Sequence, residues 1–116
     1  MSDDSGLSAD DAKLVTLARG ARGRISAAEG AAVRDETGRT YASASVSLLS
    51  LHLSALQAAV AQAAASGARG IEAAVLAVDH GSADAEGLAA VRDLGGVGVT
   101  VLVVDASGSV TSTTRT

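Results

Sequence analysis

Two apolar runs, Ile71 to Val78 and Val97 to Val104, constrain this chain more than any other feature. Each is nearly unbroken and rich in Val, Leu and Ala, so neither alternates like a strand with one wet face. Strands of that kind lie side by side in parallel, with helices on both faces of the sheet. A parallel pair needs a long crossover between its members, and residues 79–96 supply one. Ser82 is placed to cap a helix running through Leu94, Asp84 and Glu86 lie near its start, and Gly95-Gly96 stops it. The expected architecture is α/β in three layers, α/β/α.

Upstream, Ser8-Ala9-Asp10-Asp11 resembles a capping box, and Leu14, Leu17, Ala18 and Ala21 continue along one face, predicting a helix to about Arg22. Gly30 to Asp35 and Thr40 to Val46 read as strands around a Glu36-Thr37-Gly38 turn. Leu49, Leu53, Leu56, Val60 and Ala64 recur at helical spacing and predict a helix from about Leu49 to Ser66, stopped by Gly67. A second stripe, Ala58, Ala61 and Ala65, lies on another face. That helix is expected to bury two sides, one against the sheet and one against another element or subunit. Residues 1–7 read as a disordered tail, 8–105 as the domain, and 106–116 as a short edge strand or a frayed end.

The apolar fraction is 47%, nearly all of it Ala, Val and Leu, with Tyr41 as the one aromatic residue. Small aliphatic side chains bury little area each, so extra burial by self-association is expected. A net charge of −4 and a pI near 4.9 leave no basic footprint for nucleic acid or an anionic membrane. The one basic cluster, Arg19, Arg22 and Arg24, falls near a predicted helix end, where cations suit the dipole; an RNA or acidic-partner contact is the weaker reading. No cysteine occurs, which removes disulfides, thiolate ligands and Cys nucleophiles. No apolar run approaches the roughly 20 residues of a membrane span, and Met1 to Gly6 lacks the pattern of a signal peptide. A cytoplasmic protein without a membrane contact is expected. No glycine-rich phosphate loop opens a helix after a strand.

The stretch from Gly30-Ala31-Ala32-Val33 through Thr37-Gly38-Arg39 to Ser54-Ala55-Leu56-Gln57-Ala58-Ala59 and Gly67 resembles the cytidine deaminase family. Its corresponding segments read G-A-A-[LV], D-G-[KR], C-A-E-[QR]-x-A and G. The resemblance implies a mixed sheet with helices on both faces, in the order α-β-β-α-β-α-β. It also implies that the family's zinc-binding Cys falls at Ser54 and its catalytic Glu at Leu56. The second motif, Pro-Cys-x-x-Cys, falls at Ala85 and Leu88, or at Asp84 and Gly87 after a slip of one residue. The ribose-binding Asn-x-Glu is answered by Ser43-Ala44-Ser45.

Zinc in such a site lowers the pKa of bound water from about 15.7 to about 7, and the Glu moves protons. Neither Ser54 nor Leu56 suits those tasks. No metal, no cofactor and no catalytic residue is expected, which makes the chain a pseudoenzyme acting as an interaction or structural domain. Its partner would be a second copy of itself or an unidentified protein. The alternative is an enzyme or small-molecule binder using a remodelled pocket, with His52, His80, Asp84 and Glu86 as candidate ligand residues. An RNA-associated accessory role ranks third, because the net charge opposes it.

Overall fold

The computed structural model describes residues 7–25 and 27–116; apart from Leu7, the expected disordered tail lies outside the described residues. Helix α1 (Ala9–Arg24) opens on Ser8, whose Oγ accepts the Asp11 N–H at 3.1 Å. Strands β1 (Glu29–Asp35) and β2 (Thr40–Ala44) form the hairpin. A small second hairpin follows, β3 (Val46–Ser47) and β4 (His52–Leu53), and then helix α2 (Ala55–Ala65). Strand β5 (Ile71–Val78), helix α3 (Ala85–Gly95), strand β6 (Thr100–Val104) and strand β7 (Val110–Arg115) complete the chain.

The main sheet runs β2-β1-β5-β6-β7. Only β5 and β6 are parallel, with Val75 opposite Leu102; the other pairings are antiparallel. The apolar pattern of β5 explains why it is central. Ala74 and Leu76 point into one core with Leu56, Val33, Val91 and Val101, beneath α2 and α3. Ala73, Val75 and Ala77 point into a second core with Leu14, Val15 and Ala18 of α1 and with Leu102 and Val104. Beyond Glu72, exposed near its start, β5 is buried on both faces and carries no polar residue, so the period of two is hidden in the sequence. Helix α1 lies very close to β1: a Cβ on Gly30 would stand 2.2 Å from the Ala18 carbonyl oxygen.

Asp35 is the one buried charged residue described, 2% exposed at the end of β1. Burial opposes its charge, but hydrogen bonds from the Thr37 and Tyr41 hydroxyls and from the N–H groups of Thr37 and Arg39 outweigh that and hold its pKa down to about 2. The carboxylate thereby fixes the β1–β2 turn.

Several boundaries differ from the sequence expectation. The helix predicted from Leu49 begins at Ala55, because residues 46–53 fold back as the second hairpin. Its turn is closed by the Leu48 N–H donating to the Leu51 carbonyl at 2.8 Å. Leu49 is 101% exposed at that turn rather than on a helical stripe, and His52 sits in β4 rather than in a helix. Ala58 is 6% exposed, covered by the chain's own elements, so it is not part of an outer face, while Ala61 and Ala65 are exposed. Helix α3 is capped by Asp84, not Ser82. The last parallel strand begins at Thr100, leaving Val97 83% exposed. No helix among the described residues is long and apolar enough to cross a membrane.

Candidate functional site

The N-termini of α2 and α3 meet on one face of the sheet. At α2, Ser54 and Gln57 form a capping box: Ser54 Oγ accepts the Gln57 N–H at 3.2 Å, and Gln57 Oε1 accepts the Ser54 N–H at 2.9 Å. Glu29, at the start of β1, adds a third contact, its Oε1 accepting the Ala55 N–H at 3.3 Å. A carboxylate there also suits the positive end of the helix. Leu56, one residue on, is fully buried.

At α3, Asp84 Oδ2 accepts the Gly87 N–H at 2.7 Å. Its Oδ1 is buried without a hydrogen-bond partner. Gly87 is where the two helices touch: a Cβ there would stand 2.7 Å from Leu56 Cβ and 2.7 Å from Asp84 Oδ2. Gly87 of α3 therefore packs against Leu56, with the capping Asp84 beside it. Ala85 is exposed, and Leu88 is half-buried against the core beneath α2.

A cleft of about 480 Å³ opens beside this junction, lined by Glu29, Ser45, His52, Ser54, Asp84 and Glu86, among others. Of the candidate ligand residues, the fold brings His52, Asp84 and Glu86 to one cleft and leaves His80 out of it. His80 is exposed in the loop after β5. His52 is exposed on β4, with Nδ1 3.4 Å from Ser47 Oγ. Ser45 lines the cleft, whereas Ser43 Oγ donates to the Ala44 carbonyl at 2.9 Å. Among the described residues, no cluster of three or more His, Asp or Glu side chains is arranged to hold a metal ion. Glu29, Asp84 and Glu86 make the cleft acidic. No motif marks Glu29 in the sequence, but the Ser54-x-x-Gln57 spacing is a legible capping signal.

The arginine cluster is divided. Arg22 grips Asp79 through both Nη atoms, at 2.8 and 2.7 Å, and donates from Nε to the Ala27 carbonyl. That hydrogen bonding holds the Asp79 carboxyl below its ordinary range. Arg19 donates from Nη2 to the Ala106 carbonyl at 2.8 Å.

The layer order, the mixed sheet and the paired helix N-termini are those of a known family, and a family model described as cytidine deaminase-like matches residues 7–108. The chain belongs to the cytidine deaminase-like family. Solved structures that share its fold include two cytidine deaminases. Cytidine deaminase from Burkholderia pseudomallei is 21% identical with a TM-score of 0.77, over 89% of this chain and 90% of that one. Cytidine deaminase from Mycobacterium leprae is 17% identical with a TM-score of 0.67, over the same shares. Identities this low carry the fold and not the chemistry. No curated protein matches the sequence.

Proposed function

We propose that this chain is a non-catalytic member of its family, an interaction or structural domain that associates with a second copy of itself. One observation carries the reading: the first turn of α2 is committed to folding. Where the family resemblance implies a zinc ligand, the Ser54 hydroxyl accepts a backbone N–H. Where it implies the catalytic Glu, Leu56 is buried against Gly87 of the neighbouring helix. A neutral hydroxyl in a capping box, a Leu, a Gly and a carboxylate that already caps α3 do not fit the thiolate set of a deaminase zinc site.

Self-association is supported by the second hairpin. Leu48, Leu49 and Leu51 are 60%, 101% and 46% exposed within four residues. Three leucines on one turn form the kind of apolar patch that a partner covers.

The test of the inactive site is metal content. Protein purified with zinc present and then dialysed is expected to hold far less than one zinc per chain by elemental analysis, and Leu56→Glu is expected to leave that unchanged. About one tightly held zinc per chain would overturn the reading.

A second reading, a small-molecule binder or enzyme at the same cleft, is favoured by the buried, partnerless Oδ1 of Asp84, which lines the cleft along with His52. It predicts a ligand whose binding is lost in Asp84→Asn, where the capping oxygen is kept.

A further inference from the structure

A larger cleft, about 610 Å³, opens on the opposite face of the sheet, between the end of α1 and the loops that follow β5 and β6. Its lining includes three alanines, Ala27, Ala77 and Ala106, together with Arg19, Arg22, Asp79 and Asp105. Two glycines of α1, Gly20 and Gly23, complete the wall.

Those glycines are unusual. Glycine inside a helix is destabilising relative to alanine, so it normally answers to a positive φ or to close packing. Gly30 shows the packing case, since a Cβ there would collide with α1. Neither reason applies at Gly20 and Gly23. Neither has a positive φ, a Cβ at Gly23 would meet nothing within 4 Å, and one at Gly20 would meet only Arg24 Nη1 at 3.8 Å. What their missing side chains leave is space in the cleft.

The charges around that space are unequal in what they have left to bind. Arg22 and Asp79 neutralise each other. Asp105 Oδ1 already receives the N–H groups of Ser107 and Ser109 and the Ser107 hydroxyl. Arg19, in contrast, has no ion pair among the described residues. It is held in place by the β6–β7 turn: Nη2 donates to Ala106, and Nη1 lies over Gly108, where a Cβ would stand 2.9 Å away. A guanidinium fixed by one N–H keeps its others for a carboxylate. The last turn of α1 is the negative end of its dipole, which favours a cation; there the Arg22 and Gly23 carbonyls already accept the Ala27 and Ile25 N–H groups.

We propose that this cleft binds a small zwitterion of the amino-acid type, its carboxylate on Arg19, its ammonium toward the last turn of α1, and an apolar side chain against the three alanines. A divalent anion such as phosphate suits it less, because Asp79, Asp105 and the helix terminus repel a second negative charge.

The experiment is a titration of the isotopically labelled full chain, followed by amide NMR, with L-leucine and with its two halves, isocaproate and isoamylamine. Saturable shifts are expected at Gly20, Gly23 and Ala106, with L-leucine binding at least about tenfold tighter than either half. Arg19→Gln is expected to weaken L-leucine at least tenfold, and Arg92→Gln, which alters a residue of α3 on the other face of the sheet, to leave it unchanged. Gly23→Leu fills the space: it is expected to raise the melting temperature while abolishing binding, which separates a lost site from a lost fold. Absence of saturable shifts, equal binding by a half-molecule, or binding indifferent to Arg19→Gln would overturn the proposal.

Discussion

The hydroxyl of Ser54 and the carboxylate of Asp35 both accept backbone N–H groups and shape the chain around them, and each makes a separate measurement possible. Replacing Ser54 with Ala removes the N-cap and is expected to cost about 1 kcal/mol in denaturant unfolding, while Ser54→Asp keeps an acceptor and costs little. A larger loss in Ser54→Asp would mean that the hydroxyl does something other than cap. Asp35 has a folded pKa of about 2 against an ordinary 3.8. Its contribution to stability is present above 3.8 and is lost as pH falls from there through about 2. Removing one donor with Tyr41→Phe is expected to move the Asp35 carboxyl titration upward, toward 3.8, as followed by carbon NMR. An unmoved titration would show that the Tyr41 bond carries no weight.

At the level of elements, the second hairpin is both the least foreseen part of the fold and the strongest pointer to a partner. Leu49, Leu53 and Leu56 are spaced like one face of a helix, so periodicity alone runs the helix back through residues that turn instead. The capping pair Ser54 and Gln57 marks the true start, and it outweighs three leucines because an uncapped helix end leaves N–H groups unsatisfied. The β5–α3–β6 unit was legible because buried parallel strands announce themselves by composition. The cleft was not: Glu29 and Asp84 are 55 residues apart in sequence, and only the sheet register brings them together. Leu49→Ser is expected to change monomer stability by less than about 0.5 kcal/mol, since the side chain is wholly exposed, yet to shift light-scattering mass toward monomer. A wild type that is monomeric at micromolar concentration would remove the self-association claim. Ala58→Glu is no test of an interface, because Ala58 is buried within the chain.

The molecule as a whole keeps the frame of its family while its two paired helix N-termini hold a capping box and a Leu–Gly contact. Its core is built from small aliphatic residues on both sheet faces, with one tyrosine and no other aromatic residue. Such a core tolerates the close approach of α1 to β1 and of α2 to α3, and the proposed self-association would add burial to it. We propose that this frame carries no deaminase chemistry. The most direct measurement is uridine formation from cytidine by the purified chain supplied with zinc. A rate indistinguishable from the protein-free control is expected. Protein-dependent turnover that survives repurification and is abolished by chelation would contradict it.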